Sequence, residues 1–151
     1  KGATLDRTNS TADDKYYNNV KVAAMKADKV ALKFVNNKFF EGMAAFIPAR
    51  EPLVFDLFNS IKKDIDRIYG EGDVLKLIKS PYTEGDDDEY MAIRSGHGSC
   101  SAYWKTMMPN GKENYIALEI TEDLVVKLRY QDAVLIQEAI KKQDEMASSD
   151  L

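Results

Sequence analysis

The chain has 151 residues, 44% hydrophobic and 30% charged, the make-up of one globular domain able to bury a core. One cysteine, Cys100, excludes an internal disulfide framework and a multi-cysteine zinc site, and one histidine, His97, excludes any site needing two imidazoles. No apolar run approaches the roughly 20 residues of a membrane-spanning helix. The polar residues 1–15 lack the apolar heart of a secretory signal. An intracellular protein without a membrane partner is therefore expected.

The formal net charge of −4 hides an asymmetry. Residues 1–75 carry 12 Lys/Arg against 11 Asp/Glu; residues 76–151 carry 9 against 14. Six lysines and one acid fall within 15–38. Charges act over about 8 Å at physiological salt, so such local patches matter more than the sum.

Residues 1–14 are small, polar and without periodicity, and predict a flexible arm. From Asn19 the pattern turns to strands: NVKVAAMK (19–26), VALKFVN (30–36) and GMAAFIPA (42–49). From Pro52 to Tyr69, Val54, Leu57, Phe58, Ile61, Ile65 and Ile68 recur at three- and four-residue spacing and predict a helix. Pro52 suits its first turn, and Gly70-Glu71-Gly72 its end. DVLKLIKS (73–80) reads as a strand or connector, and PYTEGDDDE (81–89) as an acidic loop. EYMAIRS (89–95), SCSAYWKTM (99–107), NYIALEIT (114–121) and LVVKLRY (124–130) read as four strands, with hairpin turns at 95–98 and 109–111. A helix over about 132–144 follows, with Ala133, Ile136, Ala139 and Ile140 on one face, and 146–151 read as a flexible tail.

The halves look alike. At a fixed offset of 79, Arg50 falls on Arg129 and Ile61-Lys62-Lys63 on Ile140-Lys141-Lys142. The expected architecture is α+β: one domain over 15–145 made of two pseudo-repeats, 19–70 and 73–145. Each is an antiparallel sheet plus a helix, with the two helices packed on one side of the sheets.

Alternation then assigns faces. Ile116, Leu118 and Ile120 point in, leaving Tyr115, Ala117 and Glu119 out. Ala102, Trp104 and Thr106 point in, leaving Ser101, Tyr103, Lys105 and Met107 out. Met91 and Ile93 go in, and Tyr90, Ala92 and Arg94 out. Val30, Leu32 and Phe34 go in, and Ala31, Lys33 and Val35 out. Lys21, Ala23 and Met25 are placed outward. The helix-free face would then carry Lys21, Lys33, Arg94 and Lys105 beside Tyr90, Tyr103 and Tyr115. Cations neutralise phosphates and flat rings stack on unpaired bases, so this face suits single-stranded nucleic acid. Tyr in strands and Lys on sheet edges are also ordinary surface features.

Strands followed by a helix, twice over, resemble the Whirly family and the positive-cofactor-four coactivators. The most similar stretch is NYIALEITEDLVVKLRYQDAVLIQEAIKK (114–142). The resemblance implies single-stranded DNA binding on curved sheets, and oligomerisation.

Other constellations carry less. Gly96-His97-Gly98-Ser99-Cys100 lacks the G-x-S-x-G elbow and reads as a turn. The acidic run 84–89 does not follow the EF-hand pattern. No phosphate-cradling fingerprint occurs. The expectation is thus a non-enzymatic protein without catalytic residues, metal or cofactor, binding single-stranded DNA or RNA through Lys21, Lys33, Arg94, Tyr103, Lys105 and Tyr115. Homo-oligomers and replication or transcription partners would accompany it. The alternatives are a protein-interaction module on the same face, or an enzyme whose site the sequence does not connect.

Overall fold

In the computed structural model, residues 3–22, 25–107, 109 and 111–149 are described. Two periodicities partition these residues. Where apolar side chains alternate they form eight strands: β1 (Thr4–Leu5), β2 (Asp14–Val22), β3 (Met25–Val35), β4 (Lys38–Phe46), β5 (Asp73–Ile78), β6 (Gly98–Met107), β7 (Glu113–Ile120) and β8 (Val126–Asp132). Where they recur every three or four residues they form three helices: α1 (Val54–Tyr69), α2 (Glu89–Arg94) and α3 (Ala133–Ser149). The strands make one antiparallel sheet in the order β1-β2-β3-β4-β8-β7-β6-β5. The fold is α+β, as expected. Each set of four strands runs from its own edge inward in chain order, so β4 and β8 meet at the centre.

Helix α1 is preceded by a 3-10 turn, Glu51–Leu53, that accommodates Pro52. It ends where Gly70 adopts φ 88° and donates its N–H to the Asp66 carbonyl. Its inner face, Val54, Phe58, Ile61 and Ile65, is buried against β6, β7 and β8. There it meets Cys100, Ala102 and Trp104 of β6, Ile116, Leu118 and Ile120 of β7, and Val126 of β8. Each fully buried large side chain contributes roughly 1.5–3 kcal/mol. Trp104 is further fixed because its Nε1 donates to Asp66 Oδ1 and to the Gly70 carbonyl, each at 3.0 Å. Of the residues predicted for the helix face, Ile68 is instead exposed.

The segment 89–94 is a helix, not the predicted strand. Six residues fit either period, and here Glu89, Ala92 and Ile93, spaced for a helix, are the buried ones. Glu89 also accepts the Gly85 N–H and pairs with Lys76, which ties down the acidic loop. The run 19–26 is not one strand either: β2 stops at Val22 and β3 starts at Met25, paired with each other. Met25 packs against the core instead of facing out, and the placement of Ala23 lies outside the described residues.

Asn36 and Asn37, both left-handed (φ 48° and 61°), make a two-residue hairpin between Val35 and Lys38. A register shift after Lys33 accommodates the extra Phe40 of β4. Phe34 stays on the inner face through Phe39 and Tyr130, and Val35 keeps its outward parity yet is only 2% exposed, outside the core under α1. Residues 4–5, expected in a loose arm, pair with β2, and Asp6 caps the following turn through the Thr8 and Asn9 N–H groups. Helix α3 extends to Ser149, beyond the predicted end, so 146–149 are helical. It packs where β3 ends and β4 begins, with Asn36 donating to Glu138. Its Ile140 is exposed. Asn110 of the predicted 109–111 turn lies outside the described residues.

Candidate nucleic-acid interface

Because Ile116, Leu118 and Ile120 are buried under α1, Tyr115, Ala117 and Glu119 must project from the opposite face. Strand register extends that face across the sheet. One row runs Lys105, Tyr115, Gln131, Glu41, Lys33; the next runs Tyr103, Ala117, Arg129, Met43, Ala31. Helix α1 packs its buried residues, and α2 its Ile93, into the core on the other side, whereas α3 shares no residue with that core.

Around Ala117, whose small side chain leaves room, Tyr103, Lys105, Tyr115, Arg129 and Gln131 line a depression of about 440 Å³. Tyr103 and Tyr115 are 45% and 41% exposed, enough ring surface to receive a flat ligand. The cations differ sharply in what they hold. Lys105 Nζ sits 2.9 Å from Glu113 and 6.0 Å from the centre of the Tyr115 ring. The Tyr115 hydroxyl donates to the same Glu113 at 2.8 Å. This hydrogen-bonded carboxylate raises the pKa of Lys105 and of Tyr115, and Lys105 followed by Tyr115 lowers that of Glu113. Lys33 faces Glu41 at 3.8 Å, and Gln131 donates to the other oxygen of that carboxylate at 2.8 Å. Arg129 is different. Its Nε is buried without a hydrogen-bond partner, and it has no ion pair among the described residues.

Of the six predicted residues, four lie in these two rows: Lys33, Tyr103, Lys105 and Tyr115. Lys21 also points away from the core, into which Val20 and Val22 pack, but at the opposite end of the β2–β3 hairpin from Lys33, directly across from Lys26. Arg94 is not on the face. It ends α2 and pairs with Glu51 beside α1. Tyr90 leaves with it and packs against the core. Arg129 and Gln131 were not singled out as ligand contacts, although the alternation of Val126, Leu128 and Tyr130 already sends them to the other face.

No family model, curated protein or solved structure matches the chain. The chemistry must be read from the residues themselves. Cys100 is buried, which pushes its thiol up to about 11 and leaves no thiolate to attack anything. His97 Nδ1 is engaged with Ser95, 3.1 Å from its hydroxyl. Among the described residues no group of three or more His, Cys, Asp or Glu could hold a metal, and no helix is long and apolar enough to cross a membrane. What the depression offers is two accessible rings, an amide, a guanidinium and the Lys105 ammonium, with the Asp73 carboxylate at its β5 side.

Proposed function

We propose that the chain binds single-stranded nucleic acid, DNA first, on the face of its sheet opposite α1, without catalysis. The observation that carries this is Arg129, a cation without a described partner, lining the same depression as the exposed rings of Tyr103 and Tyr115. A buried donor left unpaired costs about 1–3 kcal/mol. A phosphate oxygen would meet the outer nitrogens of the same guanidinium in charge-assisted bonds, since the Nε itself is shut off from the surface. Each ring adds roughly 1–3 kcal/mol by stacking on a base, with little sequence preference. Lys105 and Lys33 already hold carboxylates, so they act as secondary contacts that exchange one anion for another. The order of four strands and a helix, twice over, supports the Whirly-like reading and a duplicated unit. Service in replication or transcription goes with it.

The test is fluorescence anisotropy of a labelled oligothymidine. Affinity should fall with log[salt] at a slope near −0.7 per phosphate contacted. Arg129→Met should weaken binding at least about tenfold and flatten that slope, since one phosphate contact goes. Tyr103→Ala should weaken it by about fivefold or more with the slope unchanged. If the unmodified protein ignores both DNA and RNA oligonucleotides at low salt, the proposal fails and a protein partner for this face takes its place.

A further inference from the structure

The sheet ends on one side in β5, a six-residue edge strand whose exposed side chains are largely apolar. Val74, Leu75 and Leu77 are 48%, 63% and 50% exposed, and no strand among the described residues lies beyond them. The other edge, β1, is two residues long, which is how sheets blunt an edge. Lys79 donates its N–H to the His97 carbonyl at 2.7 Å, continuing the β5–β6 register. In an antiparallel ladder, alternate residues turn their N–H and C=O the same way. The odd residues of β5 therefore bond β6, and Val74, Lys76 and Ile78 present their backbone groups outward.

We infer that β5 pairs with β5 of a second copy about a two-fold axis, continuing one sheet through both molecules. An axis normal to the sheet keeps every side chain on its own face, so a residue can only oppose one of its own parity. The register centred on Lys76 meets every requirement. It pairs outward-facing Val74 with Ile78 and Lys76 with its own copy, using every free backbone group of the strand. It sets Leu75 against Leu77 on the face that carries Tyr103. It also sets Asp73 against Lys79, an opposite-charge pair that recurs by symmetry. The two Lys76 side chains meet on the axis, but each ammonium is already turned to Glu84 and Glu89. Shifting the centre to Leu75 loses the charge pair and strands Ile78. This inference does not depend on what the face opposite α1 binds. If that face takes nucleic acid, the dimer places both depressions on one side, with the Tyr103 residues three strand spacings of roughly 4.8 Å across and six residues of roughly 3.4 Å along the strands from each other.

Sedimentation equilibrium of the full chain tests this. The unmodified protein should dimerise, and Asp73→Lys or Lys79→Asp should each weaken the dimer about tenfold or more by opposing like charges across the axis. The double exchange, Asp73→Lys with Lys79→Asp, should restore it. Val74→Pro removes an N–H that only the partner copy would use, and should give a monomer with an unchanged circular dichroism spectrum. A protein that stays monomeric at about 100 μM, a weak-complex concentration, overturns the inference. So does a dimer indifferent to the charge exchange and to Val74→Pro.

Discussion

Glu113 controls how much positive charge the face opposite α1 presents. It holds the ammonium of Lys105 and the hydroxyl of Tyr115 together. Those bonds keep its carboxyl ionised below the ordinary range, so the clamp persists through neutral pH and opens only in acid. Glu113→Gln should release both groups and tighten oligonucleotide binding several-fold at low salt, an advantage that fades as salt screens the phosphates. Anisotropy titrations of the variant at two salt concentrations read this directly; equal affinity at both would mean Lys105 is not a phosphate contact. Tyr103, Lys105 and Tyr115 were legible in the sequence because β6 and β7 alternate strictly, and a strict alternation fixes a face. Arg129 sat in an equally clear alternation, but its lack of a partner is a fact of packing that no spacing reveals. Arg94 was misplaced because six residues are too few to separate a period of two from one of 3.6.

The α1–β6 contact depends on a short polar hinge. Burial pushes the Asp66 carboxyl up, but the Lys62 ammonium, the Gly72 N–H and the Trp104 Nε1 together outweigh it and leave it below its usual value. A carboxyl so lowered adds stability above the ordinary carboxylate range and loses it as pH falls through the folded value. Asp66→Asn should therefore cost about 1–2 kcal/mol at neutral pH, with the difference shrinking in acid. Urea titrations followed by the single tryptophan, Trp104, at pH 7 and near pH 3 provide the comparison. A second substitution probes the same hinge sterically. A Cβ at Gly72 would collide with the Trp104 indole, so Gly72→Ala should lower stability by about 1–3 kcal/mol and shift the tryptophan emission. Unaltered emission would show that the indole has room to move. Here α1 was readable from its apolar spacing and Pro52, whereas the glycine–indole contact joins elements 32 positions apart and leaves no local mark.

At the scale of the whole molecule, the sequence suggested paired sheets, and the protein has one. Its centre is the β4–β8 ladder, from Glu41 opposite Gln131 to Phe46 opposite Val126. Residues from both halves, Ala44 and Phe46 with Leu118 and Val126, share one core. Neither half closes its inner edge alone, so unfolding should be a single cooperative transition. Far-ultraviolet circular dichroism and Trp104 fluorescence should report the same midpoint. Two separated transitions would mean that the halves are independent units. Sequence periodicity could count the strands but not order them, because pairing across 90 residues is settled by which edges remain unfilled. That ordering has a consequence during synthesis. The inner edge of β4 is complete by residue 46, yet its mate β8 is not translated until residue 132. A ribosome making about 5–20 residues per second leaves that edge bare for several seconds. The nascent chain must spend that interval shielded, by α1 or by a chaperone, before the last strand zips it shut.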